Sequence, residues 1–168
     1  VSRLFSLAAA LLIGFSALPT TAQDYPIADQ TDPAALLASY YNAVNLQDYA
    51  RAFAYWRTPP RGQTLDQFAR GFADTSHVEV IVRLPIVSEG AAGSVYATIP
   101  AMLIATRTNG TEQTFTGCFV MWRSNVPVGD ATTPDPNWWI NSAQLRTSAS
   151  RDAALQTLLG LDETTCGT

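Results

Sequence analysis

The sequence predicts an α+β domain: three helices, then a run of antiparallel strands, then one further helix. Three observations carry that prediction. Before residue 76 apolar side chains recur every three to four positions, and after it they recur every second position. Between two alternating stretches stands Asn109-Gly110, a strong hairpin signal, so neighbouring strands run antiparallel. Helices and strands kept apart along the chain pack as a sheet covered on one face. At 168 residues the chain fits one domain, and 47% hydrophobic residues supply a core. Only 14% are charged, against about 25% in ordinary soluble domains, and 10% are aromatic. That balance excludes a disordered, solvated chain.

Asp32-Pro33 starts the first helix, with an acidic N-cap and proline at the first helical position. Leu36, Leu37, Tyr40, Tyr41 and Val44 then fall at helical spacing within Ala34 to Val44. After Asn45-Leu46-Gln47-Asp48 a second helix carries Tyr49, Ala52, Phe53 and Trp56, and Thr58-Pro59-Pro60 ends it. Thr64-Leu65-Asp66-Gln67 is a capping box for a third helix with an apolar face of Leu65, Phe68 and Phe72. Strands follow at His77 to Leu84, Ser94 to Thr108 and Glu112 to Ser124, with Pro100 predicted to bend or bulge the second. Residues 125 to 137 hold three prolines and a glycine and form a long loop before a last strand, Trp138 to Leu145. A final helix, Ser150 to Leu161, is expected to bury Ala154, Leu155, Leu158 and Leu159.

Residues 1 to 22 read as a secretory signal peptide: Arg3, the apolar stretch Leu4 to Leu18, then small residues up to Ala22. An uncleaved anchor is the competing reading, but the stretch is shorter than the roughly 20 residues that span a bilayer. Residues 23 to 31 form an extended lead-in. The expected location is therefore exported, periplasmic or secreted, with no membrane span after cleavage. The lysine-free, alanine-rich composition points to a bacterial chain. All ten basic residues are arginine, so Schiff-base chemistry and a Walker-type phosphate lysine are excluded. A net charge of -4 without a basic patch excludes nucleic acid as partner. Cys118 and Cys166, an isolated pair in an oxidising compartment, are expected to form one disulfide; two free thiols are the alternative. Two distant cysteines and a single histidine make no metal motif, and no cofactor is expected. Asn109-Gly110-Thr111 matches the N-glycosylation triplet, which the hairpin turn already explains.

Tyr40 to Tyr49, with its Asn-Leu-Gln-Asp-Tyr turn, a third helix feeding directly into strands, and a long hairpin ending near Trp138-Trp139-Ile140 together resemble the NTF2-like (cystatin-like α+β cone) superfamily over residues 32 to 146. The resemblance implies a strongly curved antiparallel sheet wrapped around three N-terminal helices, leaving a conical apolar pocket. Residues 147 to 168 would then be a C-terminal helix and tail stapled to the sheet. Members of that superfamily include isomerases, dehydratases, cyclases and non-catalytic binding domains, and the catalytic ones place an Asp, His or Tyr inside the cone.

The ligand-binding candidates are Tyr41, Trp56, Tyr96, Phe115, Phe119, Met121 and Asn141, with Met102 as a further wall residue. They supply apolar walls and a few polar groups, as a small-molecule pocket requires. Aromatics at helical spacing are more often plain core. His77, with Asp74 or Glu79 nearby, and Tyr41 are weak catalytic candidates, His77 as general base. Three functions are expected in turn. The first is a non-catalytic domain that binds an apolar or amphipathic small molecule in its cone, or a partner protein on its surface. The second is an isomerase- or dehydratase-like enzyme with a carboxylate, Tyr41 and His77. The third is an accessory domain of the cell envelope that meets a protein through loop 125 to 137 and Trp138 and Trp139. A monomer is favoured, because a stapled C-terminal helix would cover the outer face of the sheet.

Overall fold

A computed structural model describes residues 27–127, 129–161 and 166. The predicted signal peptide lies outside the described residues. The chain runs α1 (Pro33–Asn45), α2 (Tyr49–Ala54), a 3-10 turn (Pro60–Gly62), α3 (Leu65–Arg70), β1 (Thr75–Val82), β2 (Val87–Ala91), β3 (Ser94–Arg107), β4 (Glu112–Ser124), β5 (Trp139–Ser148) and α4 (Arg151–Gly160). The sheet is antiparallel in the order β1-β3-β4-β5, and β2 also pairs with β3.

The helix starts follow local chemistry. The Asp32 carboxylate accepts from the Ala34 and Ala35 amides at 2.8 and 3.1 Å, satisfying donors that the first turn leaves free. Thr64 and Gln67 complete the capping box of α3. At the end of α1 the Asn45 side chain bonds both ways to Val78 of β1, accepting from its amide at 2.7 Å and donating to its carbonyl at 3.0 Å. One amide side chain thus fixes α1 against the sheet. The lead-in is held similarly: buried Ser39 bonds the Asp29 backbone, and Gln30 bonds the backbone of Trp138 in both directions.

The alternation of β4 sorts the molecule into two faces. Phe119 and Met121 point inward to the main core, with Leu36, Tyr40, Ile99, Leu103 and Ile140. The opposite face carries Met102 and Ile104, covered by Ala154 and Leu158 of α4. Cys118, on that face, is disulfide-bonded to Cys166, with the Cα atoms 5.7 Å apart. The chain after α4 therefore returns to the sheet, as the cysteine pairing required.

Several expectations are corrected. The second helix ends at Ala54; Trp56 instead bridges Ile140 of β5, because the Tyr55 carbonyl and Arg57 amide complete backbone hydrogen bonds with that strand edge. Leu65 is 40% exposed and lies off the buried face of α3. β2 was not expected, since Val-Ser-Glu-Gly-Ala has no apolar alternation and is exposed throughout; pairing with β3 alone makes it a strand. Pro100 neither bends nor bulges β3, whose register with β4 runs unbroken through Pro100 and Cys118. On its other side the neighbour changes from β1, ending opposite Ala101, to β2, beginning opposite Thr98, so the missing N–H falls in a gap between strands. The bulges lie at Thr75/His77 and Val120/Met121. In the Asn109-Gly110 turn only the glycine has positive φ, +82°, so the loop is the longer type closed by glycine in the left-handed region. α4 buries Ala154 and Leu158 but leaves Leu155 and Leu159 42% and 58% exposed, because only one narrow stripe meets the sheet. Trp138 is buried beneath Arg123, its amide held by Gln30, so of the expected contact pair only Trp139 is half-exposed.

Candidate functional site

Between α1, the 3-10 turn and α3 on one side and the inner face of the sheet on the other lies a cavity of about 580 Å³. Its volume is within the range of small-molecule sites. Seven of its lining side chains are aromatic. Helical spacing on α1 places Tyr40 and Tyr41 side by side, ring centroids 4.8 Å apart and edge-on. Tyr41 meets Phe119 of β4 edge-to-face at 6.2 Å, and Tyr40 meets Trp56 at 6.1 Å. Phe68 of α3 closes another wall, against Phe72 at 5.2 Å. These contacts rigidify the walls.

The space stays open because the inner face carries small residues, Ala105 and Ala143, where larger ones would fill it. β4 and β5 also approach closely at Gly117, where any Cβ would collide with the Gln144 carbonyl of β5. Burial pushes the phenols of Tyr40 and Tyr41 well above their ordinary range; the indole of Trp56 offsets this slightly for Tyr40, and the neighbouring Tyr40 adds to it for Tyr41. Both remain neutral hydroxyls throughout the physiological range.

The mouth is polar. Arg107 and Gln113 face each other across the β3–β4 hairpin, the guanidinium donating to Gln113 Oε1 at 2.7 Å. Thr75, Asp74, Gln63 and Arg61 complete the rim. The Asp74 carbonyl accepts from the Thr108 amide at 2.9 Å, tying the turn before β1 to the end of β3. Arg61 sits with φ +52° between Pro60 and Gly62, a left-handed conformation uncommon for a residue with a side chain.

Of the residues singled out in the sequence, Tyr41, Trp56, Phe115, Phe119 and Asp74 line this cavity. The others do not. His77 is exposed on the opposite face, since the strand alternates and Val78 takes the inward position. Met121 points inward but is wholly buried among core side chains. Tyr96 and Met102 fall on the outer face, each flanked by inward residues. Asn141 is the extra residue of the β4–β5 bulge, its Oδ1 accepting from Arg57 at 3.4 Å. Sequence reasoning missed Arg107, Gln113 and Arg61. The two-residue period carried the signal for the first two: Arg107 shares the parity of Leu103 and Ala105, and Gln113 that of Phe115. Among the described residues no group of three or more His, Cys, Asp or Glu is placed to hold a metal ion.

No protein-family model matches the chain, and no curated protein matches it. Among solved structures it is similar to a nuclear transport factor 2 (NTF2-like) superfamily protein from Salmonella enterica, at 17% identity and TM-score 0.47, over 69% of this chain and 88% of that one. It is similar to a Novosphingobium aromaticivorans protein provisionally named a scytalone dehydratase, at 12% identity and TM-score 0.47, over 67% and 79%. A third is a protein from Kribbella flavida, at 12% identity and TM-score 0.48, over 76% and 95%. The first bears the name of the superfamily that residues 32 to 146 resemble. At these identities nothing about activity passes from those proteins to this chain.

Proposed function

We propose that this protein is an exported, non-catalytic domain of NTF2-like architecture that binds an apolar or amphipathic small molecule in the cavity between its helices and sheet. The observation that carries the reading is the cavity itself: aromatic walls held in edge-to-face contact, small residues keeping the centre open, and charged residues at the rim. Binding to such a site draws on burial of apolar ligand surface, at roughly 25 cal/mol per Å². Export is supported by the N-terminal sequence pattern and by the disulfide, which persists in oxidising compartments. Among the described residues no helix is long and apolar enough to cross a membrane. With α4 lying on Met102 and Ile104, the outer face of the sheet is partly covered, which favours a monomer.

An isomerase- or dehydratase-like enzyme is the second reading, and the presence of Asp74 and Tyr41 around one cavity favours it. Against it, the histidine that would complete the set faces away, and Tyr41 keeps its proton and so cannot serve as a base. Native mass spectrometry of the full, oxidised chain tests the leading reading, together with titration by an uncharged fluorescent probe, N-phenyl-1-naphthylamine. A small adduct lost on denaturation, or probe binding abolished by Ala143→Phe, is expected. No adduct and no probe binding, or binding indifferent to that substitution, refutes it.

A further inference from the structure

We infer that the cavity is built for an amphipathic ligand with an aromatic body and one anionic group, an aryl carboxylate or sulfonate, whose charge is held at the mouth by Arg107 and Arg61. This rests on the ligand-binding reading above and names its ligand class.

The chain is acidic overall, at -4, yet the residues at the mouth of this cavity include two arginines, Arg61 and Arg107, and one acid, Asp74. Among the described residues the ion pairs are Arg51 with Asp48 and Arg151 with Glu112, and neither lies at the mouth. Among the described residues, neither Arg107 nor Arg61 therefore has an anionic group within ion-pair distance. A guanidinium has five N–H donors in a fixed fork suited to carboxylate and sulfonate oxygens. Arg107 uses a donor on the neutral oxygen of Gln113, which holds the group in place and leaves its charge uncompensated.

Arg61 adds a separate observation. Its positive φ is a conformation that a residue with a Cβ adopts at a cost, fixed here between Pro60 and the positive-φ Gly62. The outcome of that local strain is an arginine at the cavity rim. Below the rim the walls offer ring edges and faces to a ligand body, and aromatic partners suit them best. A cation at the rim above an aromatic chamber selects charge at one end of the ligand and an apolar ring at the other. Asp74 disfavours a second anionic group, so a monoanion fits better than a dianion.

Two probes of nearly the same shape separate the charge from the body: 1-anilinonaphthalene-8-sulfonate and its uncharged counterpart N-phenyl-1-naphthylamine. Both are titrated by fluorescence into the full oxidised protein, into Arg107→Gln, into Arg61→Gln and into the double variant. The wild type is expected to hold the sulfonate about tenfold more tightly than the neutral probe, a preference equal to one charge-assisted contact at about 1.4 kcal/mol. The double variant should lose that preference while keeping the neutral probe within twofold, and added salt should weaken only the sulfonate. Equal affinity for the two probes in the wild type overturns the inference and leaves the ligand-binding reading standing. So does a preference that survives both substitutions. Sulfonate binding that persists in Ala143→Phe is surface binding and also overturns it. If neither probe binds, the ligand-binding reading itself fails, and this inference with it.

Discussion

Reducing the Cys118–Cys166 disulfide should release α4 from the sheet while leaving the main core folded. The bond closes a loop of 48 residues, and the loop-entropy relation assigns such a crosslink about 4 kcal/mol. The non-covalent hold on α4 is of similar size. Leu158 and Ala154 are its buried side chains, together worth about 3 kcal/mol. The Arg151–Glu112 pair is about half exposed on both sides and adds little. A ten-residue helix is also below the length that stands alone in water, which is roughly 12 to 15 residues. Without the crosslink α4 should therefore detach far below the global unfolding free energy. Hydrogen exchange followed by mass spectrometry, on oxidised protein and on Cys118→Ala/Cys166→Ala, measures this directly. Amides of α4 are expected to exchange about a thousandfold faster in the variant, the equivalent of 4 kcal/mol, with β3 and β4 amides nearly unchanged. Equal α4 protection in both forms, or loss of protection in α4 and the sheet together, would refute the reasoning.

Other substitutions and conditions probe the rest of the fold. Gly117→Ala should destabilise by about 1 to 3 kcal/mol or more in urea unfolding, because the new methyl has only the Gln144 carbonyl to meet. Phe119→Ala, at a position 1% exposed beneath Tyr41, should cost about 3 to 5 kcal/mol in the same assay. Asp48→Ala removes the cap on the Arg51 amide and should cost about 1 kcal/mol, seen as a lowered thermal midpoint. Tyr40 and Tyr41 have folded pKa values raised above their ordinary 10.0, so their contribution is complete below pH 10 and is lost as pH rises beyond it. Phenolate absorbance should show these two tyrosines titrating only as the protein unfolds; their ionisation near pH 10 in the folded protein would contradict their burial.

The local signals in the sequence were strong where a single segment decides its own structure. The Asp32-Pro33 start, the Thr64–Gln67 capping box and the stripe Leu36, Leu37, Tyr40, Tyr41 and Val44 all appear as read, because caps and helical faces depend on neighbours within a turn or two. The change of period near residue 76 likewise located the long β3–β4 hairpin and the two faces of β4. It was enough to put Phe115 and Phe119 on one face of the strand and Cys118 on the other.

What failed was whatever depends on a distant strand. β2 exists because β3 offers it a partner, and Trp56 leaves the helical path because the edge of β5 captures Tyr55 and Arg57. Pro100 is accommodated by a seam between β1 and β2 that only the register reveals. The bulge that turns Asn141 aside has the same origin. His77 illustrates the limit most sharply: its alternation with Val78 was visible in the sequence, but which face holds the cavity was not. Composition and periodicity determined the fold class, the helix caps and the aromatic supply for a pocket, since these arise from short-range chemistry. The open cavity and its cationic rim were decided by the tertiary structure, because Arg61 and Arg107 come from segments 46 residues apart that only strand pairing and helix packing bring to one mouth.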